Sequence, residues 1–132
     1  MTTFVYLEDD MLSRQVMEMI LTRQLGYSDV TMLEDSTDFE MKIGALPYVP
    51  DVVFVDIHMR PHDGFEVLKR LRSNTSYSDS KIVALTASVM NEEVKLLRDA
   101  GFDGVIGKPV DRSVFPDLLE RILQGEKVWR PT

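Results

Sequence analysis

Asp51-Val52-Val53-Phe54-Val55-Asp56 sets four consecutive apolar residues, three of them β-branched, between two carboxylates. Such a run reads as a short strand buried on both faces. It stops at Asp56, and His58, Arg60, Pro61, His62, Asp63 and Gly64 behind it have the composition of a loop. Ligands of open α/β sheets bind beyond the carboxyl ends of the strands, so Asp56 stands where a site is expected.

Working outward, Thr3-Phe4-Val5-Tyr6-Leu7 is a second β-type run, ending in Glu8, Asp9 and Asp10. Leu12, Val16, Met19 and Ile20 then recur at helical spacing, and Gly26 stops that helix. Val30–Leu33 makes a short strand. Asp35 and Ser36 are N-cap candidates for a helix through Phe39, Ile43 and Leu46, ending before Pro47. Beyond the central strand, Phe65, Leu68 and Leu71 mark a helix bounded by Ser73–Ser76. Lys81–Leu85 is a strand ended by Thr86. Asn91-Glu92-Glu93 opens a helix carrying Val94, Leu97 and Ala100, with Gly101 closing it. Gly104–Gly107 is a fifth strand, ended by Lys108-Pro109. A last helix, capped at Asp111 or Ser113 because Pro116 belongs in a first turn, carries Val114, Phe115, Leu118, Ile122 and Leu123. Gly125 to Thr132 reads as a frayed tail. Strand and helix alternate five times, which means a doubly wound α/β domain with a five-stranded parallel sheet.

Composition narrows the function classes. The 132 residues suit one domain. There are no cysteines, which excludes disulfides, thiolate metal sites and cysteine nucleophiles. A net charge of −7 disfavours direct nucleic-acid binding, since no basic surplus is available to neutralise phosphates. No apolar run approaches membrane-spanning length and Met1-Thr2-Thr3 lacks a signal peptide's basic flank, so no membrane insertion and a cytoplasmic setting are expected.

Parallel strands share one carboxyl edge, which gathers Glu8, Asp9, Asp10, Asp56, Thr86 and Lys108. Taken singly, each has a plain structural reading: Asp9 and Asp10 as helix caps, Asp56 as a loop cap, Thr86 as a strand end, Lys108 as a solvated cation. Taken together they conflict, because two carboxylates ~4 Å apart at an effective dielectric of about 20 repel by roughly 4 kcal/mol. A lysine offsets part of that. A hard divalent cation with oxygen ligands, such as Mg²⁺, offsets more. The same set suits phosphoryl chemistry, with a carboxylate nucleophile, an ammonium and a hydroxyl around the phosphoryl oxygens. His58 and His62 share one loop without a third ligand and make a poor zinc site.

Glu8-Asp9-Asp10, Asp56 with Met59 and Asp63-Gly64 behind it, Leu85-Thr86-Ala87, Ala100-Gly101 and Lys108-Pro109 together resemble a response-regulator receiver domain, from Phe4 to about Leu123. The resemblance implies the flavodoxin-like (βα)5 fold with strand order 2-1-3-4-5. It implies that Asp56 accepts a phosphoryl group from a phosphohistidine of a sensor histidine kinase or histidine phosphotransfer protein. The implied cofactor is Mg²⁺, ligated by Asp9, by Glu8 through water, by Asp56 and by the backbone carbonyl of His58. Thr86, Ala87 and Lys108 would hold the phosphoryl group, and Lys108–Pro109 is a cis-peptide candidate. It further implies a phosphoacceptor rather than an enzyme acting on other substrates. Residues 1–124 would form the receiver and 125–132 a short tail with no output domain. The signal would then pass to a separate downstream effector through the fourth helix, fifth strand and fifth helix.

Three departures stand out. Arg60 occupies a position where the family usually has proline, with Pro61 one place later. Val105 replaces a frequent signalling Tyr or Phe. His58 and Ser88 sit where side chains influence the lifetime of the phosphoryl group. Val105 and the altered loop at Arg60 motivate an alternative, a degenerate adaptor of the same fold that binds partners without phosphorylation. A phosphohydrolase would need a water-activating carboxylate where His58 stands. A nucleotide-binding role would need a glycine-rich turn where Glu8–Asp10 stand.

Overall fold

The computed structural model describes residues 1–129. In chain order, the elements are β1 (Thr3–Leu7), α1 (Met11–Glu18), β2 (Asp29–Leu33), α2 (Phe39–Gly44), β3 (Val52–Asp56), α3 (Gly64–Arg72), β4 (Lys81–Thr86), α4 (Asn91–Ala100), β5 (Gly104–Gly107), α5 (Phe115–Leu123) and β6 (Val128–Trp129). All strands are parallel, in the order β2-β1-β3-β4-β5-β6, so the expected order 2-1-3-4-5 is present and a sixth strand extends it.

Side-chain alternation along the buried strands divides the interior in two. Val5, Leu7, Val53, Val55, Ile82, Ala84 and Val105 face one core, shared with Phe39, Ile43, Val67, Leu71 and Leu97 of α2, α3 and α4. Phe4, Tyr6, Val52, Phe54, Val83, Leu85 and Ile106 face the other, shared with Met17, Ile20 and Leu21 and with Phe115, Leu119 and Ile122 of α5. Phe54 is the hub of this second core, with Phe4, Tyr6 and Phe115 all within 6.2 Å between ring centroids. Register then fixes the carboxyl edge: Leu7 pairs with Val55, Asp56 with Leu85 and Thr86 with Gly107.

Four sequence expectations change. The buried stripe of the first helix is Met17, Ile20 and Leu21, while Leu12 is 66% exposed. From Met19 to Gln24 the helix winds as a wider π-type turn, with Leu25 N–H bonding the carbonyl of Ile20, and this rotates the apolar stripe. Helix α2 starts at Phe39, with Asp38 left-handed before it; Asp35 instead closes a local turn on the Thr37 N–H. The segment from Asp111 to Val114 is likewise a turn, in which Asp111 bonds Ser113, and α5 begins only at Phe115. The expected frayed tail is ordered where it is described. Val128 is buried, Trp129 packs on the α2–α4 core, and β6 pairs with β5. Gly104 permits this approach, since a Cβ there would lie 3.1 Å from the Val128 carbonyl oxygen. The rest of the tail reading, residues 130–132, lies outside the described residues.

Candidate functional site

Glu8, directly after β1, is fully buried. A carboxylate in that setting needs donors, and it has them. The Tyr6 hydroxyl and Lys108 Nζ each donate to Oε1 at 2.7 Å, and the Asp10 N–H donates to Oε2 at 3.2 Å. Burial opposes its ionisation, but Lys108, Tyr6 and the Asp10 N–H outweigh burial and hold its pKa below the usual carboxylate range. The Tyr6 phenol is driven far above its ordinary value, by burial first and then by Glu8, and so remains a donor.

Asp56, at the end of β3, is 4% exposed. Its Oδ1 lies 3.4 Å from Lys108 Nζ. Burial, followed by the charge of Glu8, pushes its pKa up to about 6 against the pull of Lys108. Lys108 stays charged: burial disfavours its ammonium, but the Glu8 bond and the Asp56 charge raise its pKa. The Lys108 N–H bonds the Thr86 carbonyl at 2.8 Å, and the Lys108–Pro109 peptide is cis.

One carboxylate oxygen each from Glu8, Asp9 and Asp56 lies within 4.8 Å of the others. Asp9 is exposed, so the cluster opens to solvent on that side. Three hard oxygen donors around one point match a hard divalent cation such as Mg²⁺. Neither His58 nor His62 joins this group. Asp10 stands apart as the N-cap of α1, accepting from the Ser13 N–H at 2.9 Å and its hydroxyl at 2.7 Å.

Thr86 is buried, and its Oγ1 accepts the Ser88 N–H at 3.1 Å, a contact that leaves the hydroxyl proton uncommitted. Ala87 is exposed at the start of the loop after β4, and Ser88 is half-buried. Val105 is fully buried in β5, in register with Ala84 on one side and Trp129 on the other. His58 is exposed, between the buried Ile57 and Met59.

The loop carrying His58 is held at its start by Ile57 N–H on the Leu85 carbonyl, 3.1 Å, and at its end by Gly64 N–H on the Ile57 carbonyl, 3.0 Å. Gly64 is required there: a Cβ would come within 2.7 Å of Ile57 Cδ1 and 3.1 Å of the Asp56 carbonyl oxygen. The Arg60–Pro61 peptide in its middle is cis.

Three residues at the site have no place in the sequence-derived set. Tyr6 is one, although its alternation with Glu8 along a strand puts both on one face and was readable. Arg14, whose Nη1 donates to the Glu8 carbonyl at 2.7 Å, is another. The third is Ser36, whose hydroxyl bonds both the N–H and the carbonyl of His62 at 2.7 Å.

Comparison with known proteins follows this geometry. The family model of the response regulator receiver domain matches residues 4–121. Stress response regulator protein 1 of Lodderomyces elongisporus is 26% identical over 126 residues, covering 94% of this chain and 34% of its own length. The chain spans between 4% and 56% of the lengths of the curated relatives it matches. Among solved structures, a chemotaxis response regulator of Vibrio cholerae superposes with a TM-score of 0.81 at 24% identity, covering 92% of this chain and 98% of that one. The receiver domain of a Pseudomonas aeruginosa sensor histidine kinase, with a magnesium ion coordinated in its active-site cleft, gives 0.79 at 24% identity, covering 93% and 98%. At these identities the structural likeness speaks for the fold.

Proposed function

We propose, from the premise that this chain belongs to the response regulator receiver domain family, that Asp56 is its phosphoryl acceptor in two-component signal transduction. A receiver domain is a signalling module rather than a classical enzyme. The observation that carries the reading is the reach of Lys108 from the end of β5 to both Glu8 after β1 and Asp56 on β3. One ammonium thereby balances two buried acids, while the acid to be modified keeps a pKa of about 6 and is mostly ionised at neutral pH.

In the proposed step an Asp56 carboxylate oxygen attacks the phosphorus of a phosphohistidine. The O–P bond forms as the N–P bond breaks, and the departing imidazole takes the electron pair and a proton from solvent. Lys108, the Thr86 hydroxyl and the Ala87 N–H serve as donors to the phosphoryl oxygens. Glu8, Asp9, Asp56 and the His58 carbonyl would hold Mg²⁺, which supplies positive charge against the phosphoryl oxygens. The donor is a sensor histidine kinase or histidine phosphotransfer protein. The added charge of about −1.5 to −2 draws Thr86 and Lys108 toward it and alters the α4–β5–α5 face presented to a downstream effector. Direct nucleic-acid contact is not part of the reading, given the net charge of −7.

Incubation with acetyl phosphate and Mg²⁺, followed by intact-mass spectrometry, tests the proposal. A single adduct absent from Asp56→Asn is expected; no adduct on the wild type, or an undiminished one on the variant, refutes it. The adaptor that works without phosphorylation is the second reading, favoured by the buried Val105 and by Arg60. It predicts no Mg²⁺ binding at millimolar concentration.

A further inference from the structure

Ser36 belongs to no motif, yet it is completely buried and makes three hydrogen bonds to one loop. Its N–H donates to the Arg60 carbonyl at 3.3 Å. Its hydroxyl donates to the His62 carbonyl and accepts the His62 N–H, both at 2.7 Å. That loop runs from Asp56 to Gly64 and is otherwise fastened at its two ends and by the buried side chains of Ile57 and Met59. Arg60 and Pro61 are exposed. The hydrogen bonds that hold the backbone of Arg60 and His62 thus all come from Ser36, in the β2–α2 connection. That connection is itself anchored, because the Ser36 carbonyl accepts from Phe39 N–H at 3.3 Å and the Phe39 ring, buried in the core, meets His62 edge-on at 6.1 Å.

We propose that Ser36 is a positioning residue for the acidic cluster: by clamping residues 60–62 it fixes the path of the loop that carries His58, and so sets the affinity for a divalent cation. The inference rests on the proposed cation role of the His58 carbonyl. Residues that hold a metal ligand in place by hydrogen bonds typically affect metal affinity by 10- to 100-fold when removed. Ser36→Ala removes the hydroxyl, leaving two His62 backbone groups without their partner, and keeps the side chain small enough for the site.

The test is titration with Mg²⁺ followed by ¹H–¹⁵N NMR shifts of the Glu8 and Asp56 amides. The wild type is compared with Ser36→Ala and with Ile43→Val, which loosens the same core but removes no hydrogen bond to the loop. Weakening by about tenfold in Ser36→Ala, with Ile43→Val unchanged, supports the inference. Wild-type affinity in Ser36→Ala overturns it and leaves the proposed function standing. No Mg²⁺ binding by the wild type overturns both. Amide exchange on the wild type covers the case in which Ser36→Ala does not fold. His62 N–H should be protected and become more so with Mg²⁺, and exchange at the rate of an open loop, or no change with Mg²⁺, overturns the inference.

Discussion

Lys108 and Glu8, one hundred positions apart in the chain, meet with Nζ 2.7 Å from Oε1. The contact ties the far end of β5 to β1 across two intervening strands, and it keeps Glu8 ionised in a fully buried position. Replacing Lys108 with Ala leaves two neighbouring buried carboxylates without their cation. The expected loss at pH 7 is roughly 1–3 kcal/mol, below the full cost of breaking a buried pair because the lysine is partly exposed. Urea unfolding checks this, and added Mg²⁺ should restore part of the loss.

Asp56 makes the stability of the metal-free protein depend on pH in a defined direction. Its folded pKa, about 6, lies above the ordinary aspartate value of 3.8. Between those values the native chain binds more protons than the unfolded one, so stability falls as pH rises and the cost is complete above about pH 7. Asp56→Asn should therefore stabilise the metal-free protein by roughly 2–3 kcal/mol at pH 7.5, with the gain gone below about pH 3. Equal stability of variant and wild type across that range would contradict the assignment. Since cation and proton compete for the same carboxylate, Mg²⁺ affinity should also drop on acidification below about pH 6.

Gly64 answers to geometry rather than charge. A methyl group there would meet Ile57 Cδ1 at 2.7 Å and Ile57 Cα at 2.9 Å, and the second of these is backbone and does not swing aside. Gly64→Ala should cost roughly 1–3 kcal/mol by overpacking, read as a lower midpoint of thermal unfolding. It should also weaken Mg²⁺ binding, because the displaced atoms flank Asp56.

Trp129 is the single tryptophan of the chain, so tryptophan emission, excited selectively over the four tyrosines, reports on β6 alone. Its position beside Val105 predicts an emission maximum blue-shifted from that of free tryptophan and a red shift on denaturation. Trp129→Ala should cost roughly 1–2 kcal/mol through lost apolar burial. An emission spectrum already matching that of the denatured chain would show that the strand is not docked in solution.

Much of this molecule was legible because its information is local. Val52–Val55 announces a doubly buried strand without help from its neighbours, and Asp63 caps α3 in the same short stretch that ends the loop. The site was legible through its charges, since Glu8, Asp56, Thr86 and Lys108 each end a strand and a parallel sheet brings such ends together. Less legible were features decided by partners far along the chain. Ser36 was read as a helix cap because serine before an apolar stripe usually is one; its bond to His62, 26 residues later, has no sequence signature. Counting 3.6 residues per turn puts Leu12 on one stripe with Ile20, a phase relation that shifts where the helix widens after Glu18. The tail was read as frayed because two strand residues make no periodicity, and what holds them is the space above Gly104.

That space has a consequence for life at high concentration. Without β6, the short and almost wholly buried Gly104–Gly107 would form the rim of the sheet, with its unpaired N–H and C=O groups offered to any other chain. Among the described residues β6 is two residues long and carries a bulky indole, and very short rim strands are a recognised guard against sheet-to-sheet aggregation. Val128 and Trp129 thus act as a selvedge, finishing the woven edge so that it does not catch on its own copies.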